Sequence, residues 1–166
     1  MTITDDFAEL RRRTDRIDPD ELDALFSHAV PVPVEAVAGS RWRGFGFDTG
    51  HRMFRQLGRS RWWGKDFTDP SAALPLLCRT EEGALFSDTE SGRGEASLWA
   101  VEFRGEATAT MVYDGMPVLD HFRSIDDDTL LGVMNGKAMV LDGGRHFYFG
   151  LERDLGREPI VPRGEG

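Results

Sequence analysis

The sequence predicts a mainly β fold in which an antiparallel meander closes into a small barrel, with N-terminal helices covering one end. The chain has 166 residues, of which 40% are hydrophobic, and this suffices for one core of ordinary size. In the second half, short runs are separated by turn signals such as Asp114-Gly115 and Asn135-Gly136. Within these runs apolar side chains alternate, as at Met111 and Tyr113, which is typical of strands. A meander of this kind exposes two edges unless it curls, so closure is expected.

Charge and composition exclude several classes of function. The formal net charge of −9 disfavours binding to phosphate backbones, so no nucleic-acid partner is expected. No apolar run approaches the length of a membrane span, and the N-terminus has no apolar block of the signal-peptide kind. The single cysteine, Cys78, excludes an intrachain disulfide and fits a reducing compartment. We therefore expect a cytoplasmic protein.

The first half carries helix signals and then an irregular segment. Asp18-Pro19 is a typical helix start, and the Val30–Pro33 stretch ends any helix. A strand is predicted around Arg41–Phe47, and a short helix is predicted to begin after His51. The aromatic segment 61–67 reads as a loop.

Several motifs resemble known families. Trp42-Arg43-Gly44, Asp48-Thr49-Gly50-His51 and Trp63-Gly64-Lys65-Asp66-Phe67 resemble the small bacterial family called GXWXG. Tyr113-Asp114, followed at fixed spacing by Asp120-His121-Phe122-Arg123, resembles the domain of unknown function 4334 that usually follows it. The glycine and tryptophan on the first strand are also similar to those of lipocalin-like and fatty-acid-binding barrels. These resemblances imply a lipocalin-like barrel and binding of a small ligand or lipid.

The resemblance and the element pattern together suggest a domain organisation. An N-terminal helical segment covers residues 1–33, and a GXWXG-like region covers 34–92. A β-meander region covers 93–155 and is expected to pack with 34–92 as one barrel domain. Residues 156–166 are expected to form a flexible tail.

Asp120 and His121 begin the run 120–123, which has the highest density of polar residues inside a predicted strand. Alternation places Asp120 with Phe122 on one face and His121 with Arg123 on the other, so one of the two must point into the barrel or its rim. An inward ionisable group needs a hydrogen-bonding neighbour or a polar ligand. A structural hydrogen bond, a ligand contact, an acid–base role and a metal ligand all remain open at this stage.

The candidate ligand contacts combine aromatic and apolar side chains with a few polar groups, as binding cavities usually do. They are Trp42, His51, Trp63, Lys65, Trp99, Phe103, Met111, Tyr113, Asp120, His121, Phe122 and Phe149. His51, at a helix start, suits either a general base or a packed histidine. Lys65 in its aromatic setting suits either a compact ligand-binding cation or an ordinary rim cation.

Three functions are compatible with these residues. The first is binding of a small apolar or amphipathic molecule inside the barrel. The second is a cofactor-independent isomerase, cyclase or lyase in which Asp120, His121 and Tyr113 act as acid–base groups. The third is a structural or interaction protein with a filled core, in which these polar residues hydrogen-bond to one another. Haem binding through His121 or His146 is a further possibility. The four histidines are widely spaced and lack a cysteine partner, so neither a metal nor another cofactor is expected.

Overall fold

The computed structural model describes residues 1–163, which form four helices and one antiparallel sheet. The helices are α1 (Ile3–Arg12), α2 (Pro19–His28), α3 (Val34–Val37) and α4 (Arg52–Arg59). The strands of the first half are β1 (Val30–Pro31), β2 (Arg41–Gly46), β3 (Trp62–Asp66), β4 (Leu74–Arg79) and β5 (Leu85–Ser87). The strands of the second half are β6 (Ala96–Phe103), β7 (Glu106–Tyr113), β8 (Val118–Asp126), β9 (Thr129–Gly136) and β10 (Phe147–Asp154).

Helices α2 and α4 begin at capping residues that the sequence supplies. The Asp18 side chain accepts a hydrogen bond from the Asp20 backbone at 2.9 Å, and Pro19 occupies the first turn of α2. The His51 Nδ1 accepts from the Met53 backbone at 3.1 Å, which starts α4. The predicted helix starts after Asp18 and His51 are therefore confirmed.

The sheet joins two meanders through strands that are distant in sequence. Its order is β5-β4-β3-β2-β10-β9-β8-β7-β6, and β1 pairs with β8. The two halves meet where β2 pairs with β10, with Trp42 opposite Arg153 and Gly44 opposite Leu151. Residues from both halves of the chain therefore share one sheet.

This topology forces the sheet to curl. The strands at its two edges, β5 and β6, are consecutive along the chain and are linked only by residues 88–95. A flat path of nine strands would separate those edges by about 38 Å, whereas a link of this length reaches at most about 32 Å when fully extended. The start of β6 reaches the residue before β4, where Ala73 and Ala96 exchange hydrogen bonds of 2.8 and 2.9 Å. The predicted mainly β, antiparallel fold is thus confirmed, as a curled half-barrel.

The two faces of the sheet carry separate cores. The concave face holds a large cluster that includes Trp42, Phe122 and Phe149. The convex face presents apolar side chains of β9 and β10, such as Val133 and Tyr148, to α1 and α2. These helices therefore cover the outside of the sheet, whereas the sequence analysis placed them at one end of the barrel. An apolar outer face requires such a cover.

Strand β3 was predicted as a loop, and this prediction is wrong. Residues 62–66 pair with β2 on one side and β4 on the other, so long-range pairing decides their conformation. At the C-terminal end, Ile160 forms a parallel bridge with Leu85, and the Val161 backbone donates to the Leu85 carbonyl at 2.8 Å.

Candidate functional site

Two adjoining cavities open from the concave face. The larger one, here called the outer groove, has a volume of about 690 Å³ and lies beside α4 and the loop after β9. The smaller one, the inner chamber, has a volume of about 30 Å³, which is room for about one or two water molecules. Five residues line both cavities, so the chamber is the inner end of the groove: Met53, Leu57, Leu76, Tyr113 and Met134.

A buried ion pair lies at the inner end of the chamber. The Lys65 Nζ is 2.9 Å from the Asp120 Oδ2, and both side chains are only 3% exposed. The Lys65 ammonium also donates to the Pro75 carbonyl at 3.3 Å. Both residues line the chamber. A charge that is buried this deeply needs a partner, and each member of the pair supplies one for the other.

An irregular stretch of β3 turns Lys65 inward. The pairing between β3 and β4 shifts register on both sides of Gly64, so Trp62 and Lys65 both reach the concave side although they are three residues apart. A Cβ atom at Gly64 would lie 2.0 Å from the Trp42 carbonyl oxygen. Only glycine therefore permits this approach of β3 to β2.

Three aromatic rings surround the Lys65 ammonium. Its Nζ lies 5.3 Å from the ring centroid of Phe149, 5.5 Å from that of Trp62 and 5.7 Å from that of Tyr113. The Phe149 ring lies against Gly132, where a Cβ atom would come within 2.3 Å of it. Rings at these distances attract a cation through their quadrupoles and keep bulk water away from it.

Asp120 is incompletely satisfied. Its Oδ2 faces Lys65, whereas its Oδ1 is buried without a hydrogen-bond partner in the described part of the chain. Burial raises the pKa of Asp120, and the nearby Lys65 partly offsets that rise. Burial and the charge of Asp120 also raise the pKa of Tyr113 well above its usual value. The chamber thus offers a free acceptor beside a phenol that stays protonated.

His121 lies on the opposite face of β8 from Asp120. Its Nδ1 donates to the Thr110 hydroxyl at 2.9 Å, and its Nε2 accepts from the Asn135 amide at 3.0 Å. The imidazole stacks on Phe103 with ring centroids 4.0 Å apart. Burial lowers its pKa to about 4, so it is neutral at physiological pH. Both ring nitrogens are occupied by protein partners.

The structure brings some of the predicted contacts together and separates others. Those that line the inner chamber are Lys65, Tyr113, Asp120 and Phe149. Three more belong to the surrounding concave core: Trp42, Met111 and Phe122. His51 is buried at the start of α4, with its ring 5.6 Å from that of Phe147.

The remaining predicted contacts line neither cavity. Trp99 is 59% exposed, and Trp63 lies beside the Arg79 guanidinium, 5.8 Å from its carbon. Phe103 and His121 are stacked on the convex side. The sequence analysis placed Trp99 and Phe103 in the interior because alternation shows which residues share a face, but not which face is inward.

Sequence reasoning missed several lining residues. They are Met53, Leu57, Trp62, Leu76, Met134 and Phe147. Strict alternation would place Trp63 on the same strand face as Lys65. Because the register shifts around Gly64, Trp62 shares that face instead. The signal for Met53 and Leu57 was present in the apolar spacing of α4, which predicted a helix but not its place beside the cavity.

Two further features of the described residues bear on the site. Within residues 1–163, no three histidine, cysteine or acidic side chains gather in a way that could hold a metal ion. None of the helices in that range combines the length and the apolar character needed to cross a bilayer.

Comparisons with known proteins agree with the sequence motifs. Residues 24–83 match the family model described as GXWXG protein, and residues 94–153 match the model of the domain of unknown function DUF4334. A crystal structure of a protein from Thermomonospora curvata is similar, with 34% sequence identity and a TM-score of 0.82. The match covers 93% of this chain and 99% of that one. No curated protein matches the sequence at a significant level.

Proposed function

The chain belongs to the family in which a GXWXG region is followed by DUF4334, and from this premise we propose that it binds a small apolar or amphipathic molecule in the half-barrel. The ligand's polar head reaches the inner chamber, and its apolar part occupies the outer groove. The observation that carries this proposal is the Asp120 Oδ1, which is buried without a hydrogen-bond partner among residues 1–163 on a side chain that lines the chamber and holds Lys65 through its other oxygen. A buried acceptor of this kind costs free energy until a donor reaches it.

The outer groove has properties that suit an apolar ligand. Its volume of about 690 Å³ falls within the range of small-molecule sites. Four methionines contribute to its walls: Met53, Met116, Met134 and Met139. Methionine side chains are flexible and polarisable, so they adapt to apolar ligands of different shape.

The charge of the inner chamber favours an uncharged head group. Lys65 and Asp120 neutralise each other, so a charged head would add an uncompensated charge in an apolar setting. The ammonium has three N–H donors, of which two are directed at Asp120 and Pro75. One donor and the acceptor Oδ1 therefore remain for a group, such as an alcohol, that both accepts and donates.

Calorimetric titration with a series of ten-carbon ligands tests this proposal. We expect 1-decanol to bind at least tenfold more tightly than decanoate or decylammonium. Leu57→Trp fills the passage between groove and chamber and should abolish binding, whereas Leu155→Trp, at a position that is 86% exposed, should leave it unchanged. Preference for decanoate would instead place the head group at the groove arginines, Arg52, Arg59 and Arg93. Absence of binding by all three ligands would contradict the proposal.

A second candidate function is acid–base catalysis on the bound molecule without a cofactor. It is favoured by two groups of the chamber. Burial raises the pKa of Tyr113, whose phenol keeps its proton, and it raises the pKa of Asp120, which makes that carboxylate a stronger base. His121 is not part of this arrangement, since it faces the convex side. Turnover that is lost in Tyr113→Phe while 1-decanol affinity is retained would support catalysis.

A further inference from the structure

Lys65 differs in its setting from every other basic residue near the two cavities. Arginine supplies all the basic side chains of the chain except Lys65 and Lys137. Lys137 is exposed, whereas Lys65 is 2% exposed and lines the chamber. If the position served only to pair with a carboxylate, the two-pronged arginine geometry would suit it better. A primary amine offers what a guanidinium cannot, which is a nucleophilic nitrogen after loss of one proton.

We propose that Lys65 captures an aldehyde or ketone with an apolar tail as a Schiff base. The inference rests on the proposed function, because the carbonyl compound must enter through the outer groove. Three observations within residues 1–163 support it: the amine is the only lysine amine on the chamber wall, its ion-pair partner is 2.9 Å away, and one oxygen of that partner has no hydrogen-bond partner.

The first step forms a bond between nitrogen and carbon. The Lys65 ammonium passes one proton to the Asp120 Oδ2 along their hydrogen bond, and burial, which raises the pKa of Asp120, makes that carboxylate able to hold it. The nitrogen lone pair then attacks the carbonyl carbon while the C=O π bond breaks. The nitrogen, which carries a positive charge after the attack, passes one of its two protons to the carbonyl oxygen. The product is a neutral carbinolamine whose hydroxyl can donate to the Asp120 Oδ1.

The second step releases water. The carbinolamine C–O bond breaks as its oxygen leaves with the proton from Asp120, and the nitrogen lone pair forms the C=N bond. The resulting iminium carries one positive charge opposite the Asp120 carboxylate, so the pair is as neutral as before. The net reaction converts the ammonium and the carbonyl compound into the iminium and water, and it needs neither an oxidant nor a reductant.

The surroundings of Lys65 favour this chemistry over simple ion pairing. The rings of Trp62, Tyr113 and Phe149 limit the access of bulk water, which would hydrolyse the iminium. Asp120 and Pro75 occupy two of the ammonium's three N–H positions, and within residues 1–163 no third hydrogen-bond partner is present, while the side chain lines the chamber. A carbonyl carbon that enters from the groove therefore meets the nitrogen on its unoccupied side.

Reductive trapping tests the proposal. The full chain is incubated with decanal and sodium cyanoborohydride, which converts an iminium into a stable secondary amine, and the adduct is located by peptide mass mapping. We expect Lys65 to be labelled at least tenfold faster than Lys137 or the N-terminal amine, which serve as internal controls. Excess 1-decanol, which cannot condense, should slow the labelling of Lys65 alone.

Variants provide matched controls for this measurement. Lys65→Arg keeps the positive charge and should eliminate the fast adduct, whereas Lys137→Arg should retain it. The wild-type map carries the test even if Lys65→Arg folds poorly. If 1-decanol binds but Lys65 is labelled no faster than Lys137, the capture proposal is wrong and the binding proposal stands. If 1-decanol does not bind and Lys65 is not labelled, both proposals are wrong.

Discussion

The polar side chains on the two faces of strand β8 differ in how completely they are hydrogen-bonded. On the convex face, His121 uses both ring nitrogens in hydrogen bonds, and Arg123 donates to the Phe26 carbonyl at the end of α2 at 3.1 Å. On the concave face, one oxygen of Asp120 is paired with Lys65, and the other has no partner in the part of the chain that the structure describes. Both ring nitrogens of His121 are thus bonded by the protein itself, whereas on the concave face Asp120 has bonding capacity left beside a cavity.

Unpaired atoms alone do not make this distinction. The Arg123 Nε and the Tyr148 hydroxyl on the convex side are also buried with no partner among residues 1–163. Neither residue lines the outer groove or the inner chamber, so a ligand in those cavities does not reach them. An unpaired polar atom on a residue that lines a cavity can bind a ligand. An unpaired polar atom away from any cavity only lowers the stability of the fold.

Breaking the concave ion pair gives the largest expected effect. Lys65→Met or Asp120→Leu alone should lower the free energy of unfolding by about 3–5 kcal/mol, because each leaves the other charge buried without a partner. The double variant Lys65→Met/Asp120→Leu should lose much less than the sum of the two, since it removes both charges. Urea denaturation measures all three values.

The exposed pair between Arg163 and Glu90 is the matched control for that cycle. Its charged atoms are 2.7 Å apart, but the Glu90 side chain is 82% exposed. Glu90→Gln should therefore change the free energy of unfolding by less than about 1 kcal/mol. Losses below that level in both single variants of Lys65 and Asp120 would show that the concave pair is solvated and would remove the distinction between the faces.

The pH dependence of the free energy of unfolding tests the convex face of β8 through His121. The pKa of His121 is lowered to about 4 in the folded protein from an ordinary value of 6.5. Between these values the unfolded chain binds a proton that the folded protein does not, so stability is lost as the pH falls from 6.5 towards 4. The slope due to this residue is at most about 1.4 kcal/mol per pH unit, and above pH 6.5 it vanishes.

The variant His121→Gln isolates that contribution. Urea denaturation of both proteins from pH 8 to 4.5 should show a smaller loss of stability in the variant, because the carboxylates that titrate are common to both. Identical slopes in the two proteins would mean that His121 is protonated as easily when folded as when unfolded. In that case burial and the bonds to Thr110 and Asn135 would not keep the His121 imidazole neutral in the folded protein.

The sequence predicted the alternation in β8 but not the whole site. The opposite orientation of Asp120 and His121 follows from the period of a strand, and the structure confirms it. Local pattern could not show that Asp120 is the inward one, since that depends on which face α1 and α2 cover. It also could not reveal the pairing of β2 with β10, because the contact joins residues that are far apart in the chain.

The register shift in β3 explains why the position of Lys65, the ion-pair partner of Asp120, was harder to predict than the position of Asp120. Lys65 was predicted as a ligand contact from its residue type and its aromatic neighbours. Its place on the same face as Trp62 depends on the shift around Gly64, which has no local sequence signature. A regular strand would have turned Trp62 and Lys65 to opposite faces.

The smallest expected effect concerns Trp99, the predicted lining residue that the structure places farthest from this role. Its ring is 59% exposed, and its indole nitrogen donates only to the Ser97 hydroxyl, at 2.7 Å. Trp99→Thr should change the free energy of unfolding by less than about 0.5 kcal/mol, as exposed substitutions usually do. It should also leave the affinity for 1-decanol unchanged, whereas Trp62→Thr, which removes a ring beside Lys65, should weaken it at least tenfold. A loss of affinity in Trp99→Thr equal to that in Trp62→Thr would place the ligand on the convex face and reverse the assignment of the two faces.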